Sequence, residues 1–69
     1  MAFWYVDDIA QPNGDHLVHH DSCFELSLSP RKSLIGSFTN CRDALAKSRV
    51  QHYQHSNGCP VCAPGCHRA

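Results

Sequence analysis

The segment that most constrains this chain is its cysteine- and histidine-dense end. Cys59-Pro60-Val61-Cys62-Ala63-Pro64-Gly65-Cys66-His67 contains two prolines and a glycine and shows neither a strand nor a helix period. Such a stretch makes no regular element, so something has to hold it in place. A C-x2-C pair builds a knuckle that presents two sulfurs to a single ion, and zinc takes four tetrahedral nitrogen or sulfur ligands. The pattern therefore predicts one structural zinc bound by Cys59, Cys62 and Cys66, with Cys41 or His67 as the fourth ligand. His67 follows Cys66 directly, and adjacent residues rarely reach the same small ion, which favours Cys41. A ligand at Cys41 would clamp the irregular tail to a helix.

Other donors are within the same vocabulary. Cys23, and His16 and His19 in an H-x2-H spacing, can also complete a site. On an extended strand that spacing sends the two imidazoles to opposite faces, so they share an ion only where the strand bends. The ordinary reading of each histidine is a surface or half-buried ring. The ordinary reading of Cys41 and Cys23 is a small buried apolar residue. The alternative for the tail as a whole is disulfide bonding, Cys59 to Cys62 or a long-range bridge such as Cys23 to Cys41. With five cysteines, such a scheme leaves one thiol over. A thiol redox protein is the second functional class, since Cys59-x-x-Cys62 has the spacing of a redox pair. A thioredoxin-type pair, however, opens a helix after a strand, whereas Cys59 comes after a helix and precedes coil. No phosphate loop, carboxylate pair or Ser/His/Asp set is present, so no catalytic residue is assigned and an enzyme is not the expected reading.

Size makes a clamp necessary. At 69 residues the chain is one domain, residues 1–69. A domain of this size buries only about 60% of its unfolded surface, and disulfides, a metal or a partner usually supply what the core lacks. Lys plus Arg equals Asp plus Glu, for a formal net charge of zero. That argues against a nucleic-acid binder, which carries a basic stripe to neutralise phosphates. The longest apolar run, Ala2 to Val6, is far short of the roughly 20 residues of a membrane span. It also lacks the basic start of a signal peptide. The expected setting is therefore the reducing cytoplasm, where thiols stay free or bind metal.

The element pattern is a sheet region over 1–38, a helix over 39–54 and the tail over 56–69. Phe3 to Val6 and His16 to His20 read as strands joined by a turn at Gln11-Pro12-Asn13-Gly14-Asp15. In the second strand His16, Val18 and His20 share one face, and Leu17 and His19 the other. Cys23 to Leu28 alternates as a further strand. Leu34 to Phe38 is another, with a bulge expected at Gly36. Asn40 caps a helix from Cys41 to about Tyr53, with Asp43 closing a capping-box-like pair. Its inward stripe is Cys41, Ala44, Leu45, Ser48 and His52. Ser56-Asn57-Gly58 is the expected helix stop, with Gly58 or Asn57 supplying its left-handed residue. The fold class is α+β: a small antiparallel sheet of about three strands, one packed helix and an irregular tail.

Two resemblances add to this. Three blocks span nearly the whole chain: Asn13-Gly14-Asp15-His16-x-Val18-His19-x3-Cys23, Leu34-x-Gly36-x-Phe38-x2-Cys41-x2-Ala44-Leu45, and Asn57-Gly58-Cys59-x2-Cys62-x3-Cys66-His67. Together they resemble a family of short uncharacterised bacterial proteins with a shared Cys/His framework, which implies a bacterial origin and no activity. The unit Gly36-x-Phe38 followed by Ala44 is similar to the strand–helix packing of the peptidoglycan-binding SPOR domain, which implies a glycan binder as a third class. The leading expectation remains a zinc module that binds protein.

Overall fold

The computed structural model describes residues 2–67. The chain forms a four-stranded mixed sheet with one main helix, a small α+β fold. The elements are β1 (Ala2–Asp7), β2 (His16–His20), the one-turn helix α1 (Phe24–Ser27), β3 (Lys32–Phe38), the main helix α2 (Cys41–Gln51), β4 (Ser56–Gly58) and a final 3-10 turn (Pro64–Cys66). The strand order is β3-β1-β2-β4. β1 runs antiparallel to both β2 and β3, and β4 lies parallel to β2.

The β1–β2 turn forms where expected. Asn13 Oδ1 accepts from Asp15 N–H at 2.9 Å, and Gly14 takes φ 92°, a left-handed conformation that costs glycine least. The expected bulge at Gly36 is also present: the register slips between Trp4, opposite Gly36, and Tyr5, opposite Leu34. Alternation along the strands then assigns two faces. Trp4, Val6 and Val18 face α2 and pack with Ile35, Ala44, Leu45 and Ala63, with Phe38, Cys41, Tyr53 and Cys66 around them. Tyr5, on the other register of β1, packs against a second, smaller cluster of Cys23, Leu26 and Cys59.

Helix α2 starts as its sequence predicts. Asn40 Oδ1 accepts from Asp43 N–H at 2.9 Å, and Ala44, Leu45 and Ser48 are buried along one stripe. It stops at Gln51, two residues earlier than expected, where His52 N–H bonds back to Ser48 O at 2.8 Å.

Two elements differ from the expectation. Cys23 to Leu28 is not a strand, because the chain turns directly after β2. Cys23 N–H bonds to His20 O, and Leu26 N–H to Cys23 O. Only Leu26 of the alternating Phe24/Leu26/Leu28 set is buried, so packing at this turn overrides strand propensity. Ser56-Asn57-Gly58 is more than a helix stop. It is a buried three-residue strand, and it makes the sheet four-stranded and mixed where about three antiparallel strands were expected. Gly58 does not supply a left-handed cap either. A Cβ on it would lie 2.7 Å from Cys66 Cβ and 2.8 Å from Cys66 C, so this glycine serves the close approach of the tail.

Candidate metal centre

Four donor groups meet on the sheet face opposite α2. His19 comes from β2, and Cys23 from the bend that opens α1. Cys59 follows β4, and Cys62 lies in the turn beyond it. One ligand atom from each can be chosen so that all four lie within 4.8 Å of one another, an arrangement that can hold a metal ion. His19, Cys23 and Cys59 are buried and Cys62 is half-buried. The Sγ atoms of Cys23 and Cys59 are 4.0 Å apart.

The backbone explains the convergence. Cys59 N–H extends the β2–β4 pairing by bonding to Val18 O at 3.0 Å, and Ala63 N–H closes the knuckle turn onto Cys59 O at 2.8 Å. His20 N–H donates to Cys62 Sγ at 3.4 Å, so the knuckle is tied to β2 beside His19. The amide behind a sulfur is the expected companion of a C-x2-C pair.

Electrostatics differ among the sulfurs. Burial alone would raise the Cys23 thiol, but its polar neighbours Cys62 and His19 and the Leu26 and Glu25 backbone outweigh it and hold it at about 7, below the ordinary 9.0. Cys62 is pushed up to about 12 by burial first, and then by its hydrogen bond to Cys23 and the neighbouring Cys59. Without an ion, the hydrogen-bonded Cys23–Cys62 pair therefore favours one thiolate over two.

The orphaned atoms are equally informative. His19 is 1% exposed, and its Nε2 lies 2.9 Å from Asp7 Oδ2. Its Nδ1 is buried and has no hydrogen-bond partner among the described residues. Buried polar nitrogens are nearly always satisfied, and a metal ion is a partner of the right kind for a bare imidazole lone pair.

Of the expected ligands, Cys59 and Cys62 are brought together. Cys41 and Cys66 are instead joined to each other in a disulfide, with Cα atoms 6.3 Å apart, and so offer no thiolate. The bond forms because the final turn returns Cys66 to the first turn of α2. His67 is placed apart from the cluster, with Nδ1 2.9 Å from Gly58 O. His16 stacks on Tyr53 with ring centroids 3.6 Å apart, and also stands apart. The donors given second place in the sequence reading, His19 and Cys23, complete the set. Their signal was the H-x3-C spacing across a strand end.

Comparison with protein-family models, with curated proteins and with solved structures finds no match to this chain. Among the described residues, no helix is long and apolar enough to cross a membrane.

Proposed function

We propose that this chain is a structural zinc module that serves protein interaction, with His19, Cys23, Cys59 and Cys62 as the ligands. The observation that carries the reading is that three sulfurs and a nitrogen of the buried His19 ring lie within 4.8 Å of one another, on a ring whose Nδ1 has no hydrogen-bond partner among the described residues. A Cys3His set is one of the standard structural zinc sites, and thiolates disfavour hard cations such as magnesium and calcium. Four protein donors leave no open coordination position, which supports a structural role over a catalytic one. Zinc would join the β2–α1 bend to the β4 knuckle, and its binding free energy would add to folding free energy. Three large apolar side chains line one cleft with His19 and Cys59 and stand exposed: Leu28 at 61%, Val61 at 60% and Ile9 at 51%. Apolar groups displayed together on so small a domain support a protein partner.

A second reading is favoured by one observation. Cys23, Cys59 and Cys62 are free thiols with the Cys23 and Cys59 sulfurs 4.0 Å apart, the layout of one thiol beside another that could resolve it as a disulfide.

Native mass spectrometry separates the two. The zinc module should carry one zinc per chain, lost in Cys23→Ser or Cys59→Ser and retained in Cys41→Ser. A metal-free chain whose Cys23, Cys59 and Cys62 react readily with a disulfide reagent would overturn the zinc reading in favour of the redox one.

A further inference from the structure

Resting on that zinc reading, we propose that Asp7 belongs to the metal site as a positioning residue. Its carboxylate fixes the His19 ring so that Nδ1 is the ligating atom. A neutral imidazole carries one N–H and one lone pair, and an ionised carboxylate only accepts. With Asp7 Oδ2 2.9 Å from Nε2, an ionised Asp7 would accept a hydrogen bond from Nε2–H and leave the lone pair of a neutral ring on Nδ1. Nδ1 is the buried atom that lacks a partner. Metal-bound histidines characteristically donate their second ring N–H to a carboxylate or carbonyl, which fixes the tautomer and raises ligand basicity.

The fold builds this arrangement through strand register. Tyr5 lies opposite His19 and Val6 opposite Val18. Asp7 is therefore on the same face as Tyr5 and diagonal to His19, within reach of a long side chain. Asp8, one position on, points the other way and is otherwise occupied: its Oδ1 accepts from Ser33 Oγ at 2.8 Å and from Tyr53 Oη at 3.0 Å. Two adjacent acids at the end of one strand thus have different roles. Asp7 is 9% exposed, and a carboxylate that deeply placed requires a specific partner. A zinc ion with three thiolates carries a net negative charge, so the carboxylate acts one ring away from the ion, through the imidazole.

Zinc alone, titrated into the reduced full chain against a chromophoric chelator, provides the test. Asp7→Asn is nearly isosteric and keeps an acceptor but loses the charge. It should weaken zinc binding by roughly 10- to 100-fold. Asp8→Asn should bind as the wild type does. Long-range proton–nitrogen correlation NMR on the zinc-bound wild type should show the His19 proton on Nε2 and the metal on Nδ1, a signature that a purely structural ion pair would not produce. Wild-type affinity in Asp7→Asn, or a His19 proton on Nδ1 in the zinc form, would overturn the role of Asp7 while leaving the zinc site standing. A wild-type chain that takes up no zinc would overturn both.

Discussion

Tyr53 shows how much one side chain does at the edge of this fold. Its ring lies flat against His16, and its hydroxyl donates to Asp8 Oδ1, which links the segment after α2 to the end of β1. That hydrogen bond, with burial and the Asp8 charge, raises the phenol above its ordinary 10.0. A group with a raised folded pKa contributes stability that is fully present below the unfolded value and is lost as pH rises through the folded one. Urea denaturation between pH 9 and 12 should therefore show stability falling above about pH 10, and Tyr53→Phe should flatten that fall. At this scale the sequence was legible where chemistry is set by spacing. Cys59 and Cys62 are such a case, because two intervening residues are enough to make the knuckle. Asp7 was not legible, because an acid at a strand end reads as a terminator until its cross-strand neighbour is known. His19 was half-legible: alternation separated it correctly from His16, but only the turn at Cys23 reveals what it faces.

Among the elements, α2 depends on its first turn. The Asn40 side chain satisfies Asp43 N–H, and Asn40 Nδ2 lies 3.4 Å from Asp43 Oδ2, so the cap is reciprocal. Asn40→Ala should cost about 1 kcal/mol of stability, read as a lower urea midpoint with an unchanged slope. A loss within a few tenths of a kcal/mol would show that the disulfide at Cys41, one residue on, already fixes the helix start. The hairpin and α2 were readable because each carries its own local code: a proline–asparagine–glycine turn, strand alternation, a cap and a helical stripe. α1 and β4 carry no such code. Phe24 to Leu28 has strand periodicity, yet the chain bends there because β2 ends and Leu26 packs beside Cys23 and Cys59. Ser56-Asn57-Gly58 looks like a helix terminator and becomes a strand only because β2 offers it a free edge.

At the scale of the whole molecule, a disulfide fastens one face of the sheet and a candidate metal set lies on the other. On the α2 side, the Cys41–Cys66 disulfide packs against the main core and closes a separation of 25 residues. On the other side lie the four donors, against the smaller cluster. Loop-closure entropy alone gives such a disulfide roughly 3–4 kcal/mol. Cys41→Ser should lower unfolding free energy by up to about that much while leaving zinc stoichiometry at one. Concurrent loss of zinc would show that the two fastenings act as a unit. The need for fastening was legible from length and from the cysteine count. Which cysteines pair was not, because the answer depends on where β4 places the tail, and that is a long-range fact.

The parallel seat of β4 against β2 also sets an order in time. Cys23 and Cys59 are 36 positions apart, and the second half of the donor set arrives only when β4 has found its edge. Closing such a loop is slow compared with forming the β1–β2 hairpin or α2, both of which rest on local contacts. A chain leaving the ribosome would carry His19 and Cys23 as a bare half-site until Cys59 and Cys62 had emerged. Metal capture would then wait on the knuckle after β4, and a chain cut short before Cys59 would keep only His19 and Cys23 of the four donors.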